Sequence, residues 1–313
     1  MSTDFTLALN AAQAAAAGQH YPQGTLYMVA TPIGNLADIS LRALHVLGLC
    51  DTVACEDTRH SQSLLRSYGL DTSQRHWLAL HQHNESEATQ EVIRRLQTGQ
   101  RVAYVSDAGT PAISDPGARL AWQVQAAGLR VMPLPGASSV TALLSAVGSP
   151  EPEQRGFVFA GFLPTRAGER ETWLAQMATE SRTQVLLEAP HRIEALGVWL
   201  ARLGERPVSV GRELTKQFEE VATMPAQALS GWLQAHPQRC KGEFVVVVHA
   251  QAPTRDDSQA NDRLLGLLLQ ELPLKSAVKL AAEISGAPRN TLYERALQLR
   301  ETAADSDPAR KNR

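Results

Sequence analysis

Arg101-Val-Ala-Tyr-Val-Ser-Asp-Ala-Gly-Thr-Pro-Ala-Ile-Ser-Asp-Pro-Gly117 opens as an apolar, β-prone run and breaks abruptly into small polar and turn-forming residues. Val102 to Val105 predict a strand buried on both faces. Ser106 to Gly117 predict a loop, and Ala118 to Ala127 an amphipathic helix. In an open α/β sheet, ligands sit in the loops beyond the carboxyl ends of the strands. A loop built from Gly, Pro, Asp and Ser lets main chain come close to a ligand. Taken alone the stretch is equally a well-made strand-to-helix turn; its repetition elsewhere in the chain tips the reading.

The same rhythm surrounds it. Leu26–Ala30, Thr52–Cys55, Trp77–Leu80 and Leu129–Pro133 predict further strands, each followed by a short loop and a helical pattern. Ser40 is placed to cap one helix and Gly99 to end another. Strands alternating with helices over residues 25–149 predict a parallel sheet covered on both faces. Gly148-Ser-Pro-Glu-Pro152 is dense in turn residues and marks a domain boundary. Over residues 153–250 the strands outnumber the helices and some connections are short, which predicts a mixed α+β sheet. Residues 251–262 read as a polar linker, and residues 262–301 as a helix-turn-helix-like unit around Ser285-Gly-Ala-Pro-Arg289. Residues 1–24 read as a loosely attached N-terminal extension and residues 302–313 as a disordered tail.

Composition narrows the function classes. With 43% hydrophobic and 20% charged residues in 313, the chain reads as a soluble multidomain protein. A net charge of −2 excludes binding nucleic acid through the overall field, so any such contact needs a local basic face. Cys50, Cys55 and Cys240 have no metal-type spacing and read as reduced thiols of a cytoplasmic protein. No apolar run reaches membrane-spanning length. His81 and His83 read as solvated loop histidines, and no metal is expected. The first strand is not followed by GxGxxG, and GxxxxGK[ST] does not occur.

What remains is a set of small-residue loops at strand ends: Thr31-Pro-Ile-Gly34, Ser106-Asp-Ala-Gly109, Pro135-Gly-Ala-Ser138, Leu187-Glu-Ala-Pro-His-Arg192 and Gly211-Arg-Glu-Leu-Thr-Lys216. Loops of this kind from two domains would build a cleft for an organic cofactor. With Ala30-Thr-Pro-Ile-Gly-Asn-Leu36, Glu56-Asp-Thr-Arg59, His83-Asn84, Pro133 to Ser139, Gly161-Phe-Leu-Pro164 and Lys241-Gly-Glu243, they form an ordered set over residues 25–300. On that set the chain resembles the bacterial ribosomal small-subunit methyltransferase I family of the tetrapyrrole methylase superfamily.

The resemblance implies a tetrapyrrole-methylase-like α/β fold of two domains with a C-terminal helical unit. It implies S-adenosylmethionine as methyl donor and a cytidine 2′-hydroxyl in the decoding region of 16S rRNA, within the small ribosomal subunit, as acceptor. It also implies a homodimer. Carried over residue by residue, Pro32, Ser106, Asp107, Ala108, Ile113, Ser138, Ser139, Leu187, Glu188 and Leu214 are expected at the cofactor. Where other superfamily members carry Gly-Asp-Pro this chain has Ser106-Asp107-Ala108, with two residues inserted before Ile113.

A ribose hydroxyl is a weak nucleophile and calls for a proton acceptor. Glu56 is the aligned position and Asp57 its rival; alternatively Glu56 pairs with Arg59 to fix the loop. Arg59 could hold a phosphate, as could Lys216 and Lys241, against an ordinary surface role for the lysines. His191 and Arg192 are candidate RNA contacts or the cap of a helix. Lys275, Lys279, Arg289, Arg295 and Arg300 give the C-terminal unit a second candidate RNA face. The competing readings are a methylase acting on a porphyrin-like small molecule and a ligand-sensing regulator with a helix-turn-helix.

Overall fold

The computed structural model describes residues 5–81, 83–150, 156–251 and 257–305, the side chains of 257–260 and 300–305 excepted. By contacts the chain divides into residues 1–250 and 251–313.

The first part begins with α1 (Thr6–Ala16) and then alternates strand and helix: β1 (Thr25–Val29), α2 (Leu41–Leu49), β2 (Thr52–Cys55), α3 (Thr58–Ser67), β3 (His76–Ala79), α4 (Glu85–Gln97), β4 (Val102–Val105), α5 (Gly117–Ala126), β5 (Arg130–Leu134) and α6 (Ser139–Val147). The five strands are parallel in the order β3-β2-β4-β1-β5. Every residue of β1, β2 and β4 is buried, as the unbroken apolar runs predict for strands covered on both faces. Ser40 caps α2 by accepting from the Ala43 N–H at 3.1 Å. β4 lies between β1 and β2, so the loop that follows it faces the loops of both neighbours.

The N-terminal stretch is not loosely attached. Ala12 and Ala16 are buried, and Phe5 packs edge-to-face on Tyr68 with ring centroids 4.8 Å apart. Its small side chains, which give a weak hydrophobic signal in the sequence, let α1 sit closely on Leu44 of α2.

The second sheet contains β6 (Phe157–Gly161), β7 (Thr183–Glu188), β8 (Pro207–Arg212), β9 (Glu220–Pro225) and β10 (Phe244–Val248), with α7 (Ala167–Thr179), α8 (Ile193–Leu200) and α9 (Leu229–Gln234) between them. Its order is β6-β7-β10-β8-β9; only β6 and β7 run parallel. Helix α6 joins the two layers. Val140 and Leu143 pack with Ile33 of the first domain and with Val185, Leu214, Val245 and Val247 of the second. Replacing Leu143, which is fully buried, with Ala is expected to cost about 3 kcal/mol, read as a lower urea midpoint at unchanged slope.

Residues 257–305 form three helices, α10 (Asp257–Glu271), α11 (Leu274–Ser285) and α12 (Arg289–Asp305), around Leu265, Val278, Ala281, Leu292 and Ala296. Gly286 closes α11 in the left-handed conformation, φ 70°. α12 runs to Asp305, beyond the expected start of the tail at 302; residues 306–313 lie outside the described residues.

Candidate active site

The loop after β4 is fastened on both sides. Toward β1, Thr31 N–H donates to the Gly109 carbonyl at 3.0 Å and Gly109 N–H to the Thr31 carbonyl at 3.1 Å. Gly109 takes φ 82°, and an added Cβ would lie 3.2 Å from Ile33 Cγ2. Gly109→Ala is therefore expected to cost about 1–3 kcal/mol of stability and to weaken ligand binding, measured by melting and titration calorimetry. Toward β2, the Asp57 N–H donates to Asp107 Oδ1 at 3.3 Å.

Asp115 holds the loop's far end. It accepts from Tyr104 Oη at 2.9 Å, Gly117 N–H at 2.7 Å and Ala112 N–H at 2.8 Å. This set keeps Ala112 at φ 71°, a conformation costly for a residue with a Cβ.

The pinned loop encloses a cavity of about 160 Å³, lined by Glu56, Ser106, Asp107, Ala108, Ile113, Asp115, Ser138, Ser139 and Leu187 among others. Ala108, Ser139 and Leu187 also border a second, more apolar cavity of about 280 Å³. Ile33, Phe162, Leu214, Phe244 and Val245 line this one, with Glu188 and Glu243 on its wall. The two compartments lie side by side between the sheets, one polar and acidic, the other apolar. Burial, and then repulsion from Asp107 and Asp115, push the Glu56 carboxyl up to about 7. Ser138 precedes α6 but does not use its hydroxyl as a cap, although that residue faces the polar cavity.

The expected site residues fall into two groups. Glu56, Ser106, Asp107, Ala108, Ile113, Ser138, Ser139, Leu187, Glu188 and Leu214 all line one cavity or both. Pro32 lies buried in the turn beside Ile33 and lines neither. Asp57 is the N-cap of α3, accepting from the Arg59 N–H at 2.8 Å, and its carboxylate pairs with the Arg59 guanidinium at 3.1 Å. Arg59 thus pairs with Asp57 rather than Glu56, which leaves Glu56 free to face the cavity.

Glu188 has a fully buried side chain, and its carboxylate is already engaged by the Ala189 N–H at 2.9 Å, the Leu163 N–H at 3.4 Å and Arg192 Nε at 3.2 Å. Arg192 also donates to the Leu163 carbonyl, while His191 is exposed. Lys216 is held between Glu213 at 2.8 Å and Glu243 at 2.9 Å. Lys241 is exposed, without an ion-pair partner among the described residues. In the C-terminal unit, Arg295 pairs with Asp262 at 2.6 Å, whereas Lys275, Lys279 and Arg289 share a surface groove with Tyr293. The side chain of Arg300 lies outside the described residues.

Residues 25–230 match the family of tetrapyrrole (corrin/porphyrin) methylases. The ribosomal RNA small subunit methyltransferase I of Pseudomonas aeruginosa is 48% identical over 280 residues, 88% of this chain and 97% of that protein. The chain belongs to the ribosomal RNA small subunit methyltransferase I family. The Mesorhizobium japonicum member of that family is 45% identical over 90% of this chain and 94% of its own length. Residues 255–300 match the RsmI C-terminal HTH domain, so the family's helical unit is present as well. Among solved structures, a cobalt precorrin-4 methyltransferase (TM-score 0.52, 18% identity, 73% of this chain and 98% of that one) shares the fold. So does a diphthine synthase (TM-score 0.54, 16% identity, 72% of this chain and 90% of that one).

Ile33, Asp115, Phe162, Phe244 and Val245 belong to the cavities but were not singled out from the sequence. Ile33 and Phe162 sit inside motifs that were recognised. Asp115 carries no chemical signature of its own, and Phe244 and Val245 read only as strand residues.

Proposed function

We propose that this protein transfers a methyl group from S-adenosylmethionine to the 2′-hydroxyl of a cytidine in 16S rRNA of the small ribosomal subunit. The observation that carries the reading is the near full-length identity to small-subunit rRNA methyltransferases, together with a cleft that fits the cofactor. The fit rests on the donor set. An apolar compartment suits an adenine ring, and the neighbouring hydroxyls and carboxylates suit a ribose and a cationic amino-acid tail. When bound, S-adenosylmethionine supplies an electrophilic methyl group already activated by the sulfonium charge.

The protein's own task is then positioning and proton removal. Leu187 and Leu214 wall the apolar compartment, while Ser106, Asp107 and Ser138 offer polar contacts beside it. Ile113, Ser139, Glu188 and main chain at Ala108 complete the wall. Glu56 takes the proton from the 2′-hydroxyl; a carboxyl raised to about 7 is a far stronger base than an ordinary glutamate and is still half ionised near neutrality. Asp57 and Arg59 fix the loop that presents it. Lys241, His191 and the Lys275–Lys279 face of the C-terminal unit contact the RNA. On this reading the enzyme works in the cytoplasm as a homodimer; no helix among the described residues is long and apolar enough to cross a membrane.

Methyl-labelled S-adenosylmethionine and 30S subunits lacking the modification test this reading. Label is expected in 16S rRNA; label on a tetrapyrrole and none on rRNA would overturn it. Asp107→Ala is expected to weaken cofactor binding about tenfold, and unchanged affinity by calorimetry would remove Asp107 from the site.

A further inference from the structure

Arg212 ends β8 with only 8% of its surface exposed, and its guanidinium is spent on two main-chain carbonyls. Nε donates to the Lys241 carbonyl at 2.7 Å and one terminal nitrogen to the Phe218 carbonyl at 3.2 Å. A single buried side chain therefore ties together two segments 23 residues apart in sequence, one carrying an aromatic ring and the other a cation. Phe218 is 69% exposed, and Lys241 is exposed with no ion-pair partner among the described residues.

The loop that carries Phe218 is stiff. Glu213 and Thr215 both adopt left-handed φ, 50° and 67°. The Thr215 N–H donates to Glu219 at 2.6 Å, the Glu219 N–H to the Lys216 carbonyl at 3.1 Å, and the Lys216 N–H to the Glu213 carbonyl at 3.0 Å. The same loop sends Leu214 into the apolar cavity and Lys216 to Glu243 on that cavity's wall. The loop's own bonds over-determine it and hold the two left-handed residues in place. A large ring held in water on a rigid loop beside the cleft loses little freedom on binding, and its exposed neighbours Gln217 and Glu219 are polar. Glu219 spends its carboxylate on the Thr215 N–H, and the cation nearest along the Arg212 tie is the exposed Lys241, whose carbonyl shares that guanidinium with the Phe218 carbonyl.

We propose that Phe218 and Lys241 form a nucleotide grip at the cleft mouth, the ring stacking on a base of single-stranded RNA and the ammonium meeting the adjoining phosphate. Arg212 is the positioning residue that sets their spacing. The inference rests on the rRNA reading above and deepens it. Stacking on an aromatic face tolerates any base, so the grip supplies affinity and orientation and leaves the choice of nucleotide to the catalytic cleft.

The test uses the full-length protein and 30S subunits lacking the modification. Phe218→Ala is expected to raise KM for the subunit about tenfold, with kcat and S-adenosylmethionine affinity within about twofold of the parent. Phe218→Trp keeps a stacking face and is expected to retain the parent KM. Lys241→Ala is expected to raise KM and to lower the slope of log KM against log salt by about one. A parent KM in Phe218→Ala overturns the proposal. So does a Phe218→Ala protein that sediments at half the mass of the parent, because the ring would then be covered by a second copy. Failure of the unmutated protein to label 16S rRNA is a separate outcome that removes the rRNA reading itself, and the grip with it.

Discussion

Glu56→Gln is expected to slow single-turnover methyl transfer by about 10²–10⁴-fold while leaving S-adenosylmethionine affinity nearly unchanged. The amide has almost the same shape but cannot take a proton, so the loss isolates proton removal from positioning. The parent rate is expected to rise tenfold per pH unit below about 7 and to level off above it, because the carboxylate form is the active one. The residual rate of the variant should lack that inflection. Stability gives a readout independent of activity. The folded protein holds the Glu56 proton up to about 7, whereas an unfolded glutamate releases it near 4.5. The stabilising effect of that proton is complete below 4.5 and is lost as pH rises to 7, so the folded parent carries a penalty at pH 8. Glu56→Gln should remove that penalty and stabilise the protein at pH 8 by about 1–2 kcal/mol, a figure reduced from the full linkage value because the carboxyl is partly solvated. At pH 4 the two proteins should melt alike. Equal single-turnover rates in variant and parent would reject Glu56 as the proton acceptor.

Glu188→Ala is expected to destabilise the protein by about 3 kcal/mol or more, enough to lower its melting temperature by several degrees. The substitution strips Arg192 of its carboxylate and leaves the Ala189 and Leu163 N–H groups without the fully buried side chain that accepts from them. Glu188→Gln retains an acceptor oxygen and should lose less. Unfolding in urea checks the order. If Glu188→Ala kept the parent stability and lost only cofactor affinity, Glu188 would act on the ligand directly rather than by bracing the wall.

The parallel sheet was legible because β4 is apolar throughout, β1 and β2 are apolar after an opening Thr, and all three break into polar or turn-forming residues, a local pattern that needs no knowledge of partners. The cavity residues around Ser106, Ser138 and Leu187 were legible for the same reason: they lie at strand ends, where topology gathers them. The charged residues were harder to read. Lys216 looked like a free cation because its partner Glu243 is 27 residues away in sequence and reaches it only once β8 and β10 pair. Arg192 lies beside Glu188 in sequence, but whether that pair is buried depends on packing against Leu163. The docking of α1 was missed because alanines that allow close helix contact resemble a low-hydrophobicity tail. The left-handed φ of Glu213 and Thr215 is imposed by bonds within the folded loop, and no Gly or Asn announces it.

Nucleoside analysis of the labelled rRNA tests the central claim most directly. After reaction of the protein with methyl-labelled S-adenosylmethionine and 30S subunits lacking the modification, complete digestion is expected to release the label as 2′-O-methylcytidine. Label recovered on a base, on another nucleoside, or on no RNA at all would contradict the account.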